Sequence, residues 1–135
     1  MRSVAGPGQP STFSRRLRQA RERAGLTQYE LGLRAGLDEN VAGPRINQYE
    51  NGIHEPRQDM VKELAKALGI PAAYLYATDE DLARLLLSWP GLTPAKRKKY
   101  ADSAEADAAK ATGRPAKAEP SEPAQKPAAR RKRKP

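Results

Sequence analysis

The sequence predicts an all-α protein, and three observations carry the prediction. Apolar residues recur at helical spacings of three and four from Phe13 to Trp89. Helix-start signals stand at Thr27, with Glu30 three residues later, and at Thr93-Pro94. Gly25, Gly36, Asn51-Gly52 and Gly69 stand where the stripes stop, as left-handed helix ends require.

Taken in order, Met1 to Pro10 holds two glycines and two prolines without apolar periodicity and reads as a flexible leader. Phe13, Leu17, Ala20 and Ala24 form one face of a first helix, and Gly25 stops it. Thr27 and Glu30 form a capping box, with Leu26 and Leu31 at the positions of a hydrophobic staple, so a second helix starts at Gln28 and runs to about Ala35. Gly43-Pro44 marks a third helix with the proline in its first turn, where a missing N–H costs nothing. In that helix Ile46 and Tyr49 face inward while Arg45, Asn47 and Gln48 face outward. After Pro56, the stripe Met60, Val61, Leu64, Ala65 and Leu68 gives a fourth helix closed by Gly69, and Pro71 opens a brief fifth with Tyr74 and Leu75.

Asp79 to Ser88 reads as a sixth helix with Leu82, Leu85, Leu86 and Trp89 along its apolar side. Asp79, Glu80 and Asp81 are a negative cluster suited to its N-terminus. From Thr93-Pro94 to about Ala109 helix propensity is high, but only Leu92 and Tyr100 are large and apolar, which predicts a frayed or partly exposed helix. Ala111 to Pro135 holds six Ala, five Pro and eight Lys/Arg and no aromatic residue, too little apolar surface to fold alone.

Composition narrows the function. A chain of 135 residues with such a tail supports one modest core. It has no Cys and one His, His54, which excludes disulfides, thiolate zinc sites, Cys nucleophiles and a two-histidine metal site within one chain. No cofactor is expected. The sequence has no Ser/His/Asp arrangement, phosphate-cradling Gly loop or metal-spaced ligand cluster, so the expectation is a binding protein and not an enzyme. The longest aliphatic run, Leu85 to Leu87, is far too short to span a membrane, and no signal-like segment precedes it; a cytoplasmic, nucleoid location is expected.

The net charge of +9 points to a polyanionic partner but is unevenly placed. Residues 1–95 carry 12 Lys/Arg against 11 Asp/Glu, and residues 96–135 carry 13 against 5, so the two parts contribute +1 and +8. Specific recognition by the folded part therefore has to come from local groups.

Two helices joined by a glycine turn, preceded by a basic helix and followed by an Arg-x-Asn-Gln face, suit a helix-turn-helix. One helix crosses the phosphate backbone while the next enters the major groove, about 12 Å wide. Arg45 suits guanine, and Asn47 and Gln48 carry the amide fork suited to adenine. Four segments, Leu17-Arg18-Gln19-Ala20-Arg21, Gly25-Leu26-Thr27-Gln28-Tyr29-Glu30-Leu31, Ile46-Asn47-Gln48-Tyr49-Glu50-Asn51-Gly52 and Leu64-Ala65-Lys66-Ala67-Leu68-Gly69-Ile70, resemble the lambda-repressor and Cro-like helix-turn-helix regulators, the XRE family, over about Phe13 to Tyr76.

The resemblance implies a five-helix DNA-binding domain, with Gln28 contacting backbone and bases and with Arg21 and Glu50 forming a structural ion pair. DNA contacts are expected from Gln28, Tyr29, Arg45, Asn47, Gln48, Asn51, His54 and Arg18, whereas Arg15, Arg16 and Arg23 read as the solvated face of the first helix, with phosphate contact as the alternative. Two departures from the family pattern stand out. Gly32 replaces the usual Ala and weakens the second helix by up to about 1 kcal/mol. Between Gly36 and Ile46 the chain is several residues longer than usual, which predicts an extended turn.

The expected organisation is a leader over 1–11, a helix-turn-helix domain over 12–77, a C-terminal helical extension over 78–110 and a disordered basic tail over 111–135. The Leu82, Leu85, Leu86, Trp89 cluster is read as a homodimer seam, with completion of the core as the alternative. In the tail Arg130, Arg131, Lys132, Arg133 and Lys134 are expected to contact DNA without sequence preference. The function so implied is sequence-specific binding of double-stranded DNA by a transcriptional repressor. The alternatives are a nucleoid packaging protein acting through its tail and an antitoxin-like adaptor that binds a protein partner.

Overall fold

A computed structural model describes residues 10–113, and every regular element among them is helical. The chain up to Gln9 and from Arg114 onward, including Arg130, Arg131, Lys132, Arg133 and Lys134, lies outside the described residues. The described residues fall into two compact units, one ending at Leu92 and the other beginning at Thr93.

The first unit contains α1 (Thr12–Arg23), α2 (Gln28–Arg34), α3 (Ala42–Glu50), α4 (Gln58–Leu68), a 3₁₀ helix (Ala72–Tyr76), α5 (Glu80–Ser88) and a 3₁₀ turn (Trp89–Gly91). The predicted apolar stripes converge on one core. Leu17, Leu31, Ile46, Leu64 and Leu75 are fully buried, drawn in turn from α1, α2, α3, α4 and the first 3₁₀ helix. Each such side chain contributes about 1.5–3 kcal/mol through removal from water.

Helix boundaries follow the capping chemistry. The Thr27 hydroxyl accepts from the Glu30 N–H at 3.0 Å while the Glu30 carboxylate accepts from the Thr27 N–H at 2.9 Å, which closes the expected capping box of α2. Asp79 accepts from the Leu82 N–H at 2.9 Å and starts α5. Ser11, expected at the end of the leader, caps α1 by accepting from the Ser14 N–H at 3.2 Å. The last predicted apolar position of α1, Ala24, is its exposed C-cap.

The region between α2 and α3 departs from expectation. Helix α3 begins at Ala42, and Pro44, its third residue, lies in the first turn as expected. The Asp38 carbonyl accepts from the N–H groups of both Val41 and Ala42 at 2.9 Å, and the extra length of chain is taken up partly as helix. Ala42 thereby lands on α2, fully buried. A Cβ placed on Gly32 would stand 2.6 Å from the Ala42 Cβ and 2.7 Å from the Ala42 carbonyl oxygen. Gly32 is therefore the contact that lets α3 approach, and its low helix propensity is secondary to that. Gly32→Ala is expected to destabilise the domain by about 1–3 kcal/mol through overpacking, although propensity alone would favour alanine by about 1 kcal/mol. Chemical denaturation measures the sign; a stabilised variant would contradict the close approach.

Two polar residues of α1 are buried. Ser14 donates to the Tyr49 carbonyl at 2.7 Å and fixes α1 against the end of α3. Arg16, expected on the solvated face, is 1% exposed, because its guanidinium finds acceptors on the segment leading into α5. On α5 itself the leucine-rich side is divided. Ala83 is buried and Leu86 and Leu87 pack partly against the core, while Leu82 and Leu85 stay exposed.

The second unit contains α6 (Pro94–Thr112), none of whose residues is buried. Thr93 accepts from the Lys96 N–H at 3.2 Å at its start, and Gly113 ends it in the left-handed conformation, φ 75°. Ala111 and Thr112, expected in the tail, belong to this helix.

Candidate nucleic-acid interface

The close packing of α3 on α2 lays the start of α3 along α2. Ala42 meets Gly32, and a Cβ on Gly43 would stand 3.8 Å from the Tyr29 Cβ, ordinary contact distance. Polar groups on the two helices are thereby brought into one hydrogen-bonded row. It starts at Glu50, whose carboxylate is almost fully buried. Arg21 donates to it bidentately, Nε to Oε2 at 2.6 Å and Nη2 to Oε1 at 3.0 Å, and its Nη1 donates to the Leu26 carbonyl at 2.9 Å. The hydrogen bond to Glu50 raises the Arg21 pKa above its ordinary value against the opposing effect of burial. This is the ion pair that the sequence resemblance implied, and it ties α1 to the end of α3.

From Glu50 the row continues outward. Gln28 donates its Nε2 to Glu50 Oε1 at 3.0 Å. Asn47 donates its Nδ2 to Gln28 Oε1 at 3.5 Å, the loosest link. Asn51 donates its Nδ2 to Asn47 Oδ1 at 3.2 Å and to the Asn47 carbonyl at 2.8 Å. Three of the expected DNA-contacting residues, Gln28, Asn47 and Asn51, are thus joined to one another and to the buried pair.

The others are distributed around this row. Tyr29 is exposed beside the start of α3. Asn47 is exposed, but Arg45 and Gln48, expected on the same outward face, are half-buried. Arg45 lines an open groove with Leu37, Tyr49, His54, Arg57 and Met60. His54 therefore shares a surface with Arg45, and Arg57 joins them from outside the expected set. A lone arginine between a proline and the start of α4 was its only sequence signal. Glu55 and Asp59 also line the groove, so its charge is mixed. Arg18 pairs with Glu22 on its own helix at 3.2 Å, both side chains exposed. A pair of that kind contributes only about 0.3–0.5 kcal/mol and leaves the arginine available to a stronger anion.

Comparison with known proteins places this arrangement. Residues 17–75 match the helix-turn-helix family. The chain is 36% identical over 70 residues to a 26 kDa repressor protein of Escherichia phage HK022, covering 52% of this chain and 30% of that protein. It is 35% identical over 60 residues to an uncharacterised helix-turn-helix-type transcriptional regulator of Mycobacterium tuberculosis (strain CDC 1551 / Oshkosh), covering 44% of this chain and 40% of that one. The chain thus spans less than half the length of these curated relatives. The crystal structure of the transcriptional regulator BswR superposes with a TM-score of 0.63 at 41% identity, covering 68% of this chain and 91% of that chain.

Proposed function

The chain belongs to the XRE-type helix-turn-helix family, and on that footing we propose that it is a sequence-specific double-stranded DNA-binding regulator that represses transcription as a homodimer. The observation that carries this reading is the row Gln28, Asn47, Asn51 held on a buried ion pair, with Arg45 on the same helix as Asn47. Base edges in the major groove are read by forked donors and acceptors, and a fork held in place before binding loses less side-chain entropy on docking. Lys and Arg of the C-terminal part supply attraction to phosphate that is independent of sequence. Repression requires only that the bound protein occupy a promoter, so no chemistry is involved.

The exposure of Leu82 and Leu85, one helical turn apart on α5, supports the homodimer reading. A two-fold pair would address half-sites about 34 Å apart.

Selection of bound sequences from a random DNA pool tests the proposal, and inverted repeats are the expected product. Against the selected site, Arg45→Ala, Asn47→Ala and Gln48→Ala are each expected to lose about 1–3 kcal/mol of discrimination at single base positions. Removal of residues 114–135 is expected to flatten the dependence of affinity on salt while sparing the preference. A full chain that binds random and selected DNA equally would sink the reading.

A further inference from the structure

The amide row has a direction. Glu50 is 4% exposed, and its ionised carboxylate can only accept hydrogen bonds. The Gln28 atom 3.0 Å from Glu50 Oε1 must therefore be the amide nitrogen, which turns the Gln28 oxygen toward Asn47. Asn47 answers with its nitrogen, so its own oxygen turns toward Asn51, which again answers with nitrogen. The far end is pinned as well, because the Asn51 nitrogen also donates to the Asn47 backbone carbonyl at 2.8 Å.

Reversing any one amide creates a conflict. A turned Gln28 would hold its oxygen against the carboxylate of Glu50. A turned Asn51 would hold its oxygen against a backbone carbonyl. A turned Asn47, between them, would face oxygen to oxygen on one side and nitrogen to nitrogen on the other. An acceptor-only group at one end and a backbone acceptor at the other thus give all three amides one common polarity.

We propose that the buried Glu50 carboxylate is a positioning residue that sets the donor and acceptor polarity of Gln28, Asn47 and Asn51, and so fixes which base edge this row accepts. The proposal rests on the DNA-binding reading above and adds to it a cause of specificity. An asparagine or glutamine that turns freely can offer either a donor or an acceptor at a given place. Locked in one sense, it meets the N7 acceptor and N6 donor of adenine in a single orientation. Asn47, the exposed member, presents its remaining N–H and lone pair at fixed places.

The test compares two variants of the full chain by selection from random DNA. Glu50→Gln keeps the size of the side chain, but its single oxygen cannot accept both from Arg21 Nε and at the site shared by Arg21 Nη2 and Gln28 Nε2, so the acceptor that orients Gln28 is no longer guaranteed. Its selected site is expected to show a weaker base preference at the position assigned to Asn47. Arg21→Lys weakens the ion pair but keeps the carboxylate, and its selected site is expected to be unchanged at lower protein stability. A Glu50→Gln variant that selects the wild-type base with undiminished preference, or an Arg21→Lys variant that loses that preference to the same degree, would overturn the proposal.

Should Glu50→Gln fail to fold, side-chain NMR of the wild-type protein without DNA decides. One Gln28 Nε2 proton is expected to exchange with solvent about tenfold more slowly than in a short peptide. Exchange at the peptide rate would overturn the fixed polarity. A protected Gln28 amide in a protein with no base preference would instead count against the DNA-binding reading alone.

Discussion

Replacing Arg21 by alanine is expected to destabilise the first unit by about 3–5 kcal/mol, the range for removing one partner of a buried pair. The range applies because both partners are shielded, with side chains 12% and 2% exposed. The substitution leaves the Glu50 carboxylate with the Gln28 N–H but without its cation, and it deprives the Leu26 carbonyl of the Arg21 Nη1 donor. An uncompensated buried charge costs more than the pair itself contributes. The double variant Arg21→Ala/Glu50→Ala is accordingly expected to be more stable than Arg21→Ala alone. Urea denaturation of both single variants and the double gives the coupling energy. A loss for Arg21→Ala below about 1 kcal/mol, the value for an exposed pair, would show that solvent reaches Glu50.

What was legible in the sequence was the part determined by neighbours within a helical turn. Thr27 and Glu30 sit three residues apart and complete their capping box without help from the rest of the chain. Leu17, Leu31, Ile46, Leu64 and Leu75 follow from periodicity, since an apolar stripe has to be covered. The Arg21–Glu50 pair was legible only through family resemblance, because no local rule connects residues 29 positions apart.

The rest depends on partners that local patterns do not specify. Gly32 looks like a weak point of a helix until the longer turn delivers Ala42 onto it. The departure at Gly32 and the departure in turn length are therefore one feature, a closer helix approach made where the chain is longer. Arg45 and Gln48, expected to face outward from α3, are half-buried, and Arg45 forms one side of a groove with His54 and Arg57 because the loop that carries them packs beside it. The acidic cluster at Asp79, Glu80 and Asp81 reads as dipole compensation. In the structure the three carboxylates part ways, Asp79 capping α5, Glu80 meeting Arg16 and Asp81 pairing with Arg84 at 2.9 Å.

Arg16→Ala is expected to cost about 2–4 kcal/mol, and packing together with the hydrogen bonds of the buried fork, rather than the ion pair, carries the loss. Arg16 occupies a position of α1 between Phe13 and Ala20, on the buried side, where a charged residue is unexpected. Its side chain reaches the segment that leads into α5. Nε donates to the Ala77 carbonyl at 2.8 Å, Nη1 to Gln19 Oε1 at 3.1 Å and Nη2 to Glu80 Oε1 at 3.3 Å, with the guanidinium 5.5 Å from the centre of the Tyr74 ring. The ion-pair partner is the weak member of this set, because the Glu80 side chain is 74% exposed. Glu80→Ala should therefore cost no more than about 1 kcal/mol. Arg16→Ala removes a buried stem that fills space between α1 and Tyr74 and leaves the Ala77 carbonyl without its donor. Arg16→Lys should recover little, since one ammonium cannot serve three acceptors set for a planar fork. Thermal or urea denaturation of the three variants separates the contributions: a Glu80→Ala loss equal to that of Arg16→Ala would make the ion pair, and not the packing, the main source of stability at this site. A small Glu80→Ala loss beside a large Arg16→Ala loss assigns the stability to the buried side chain and to its bonds with the Ala77 carbonyl and Gln19.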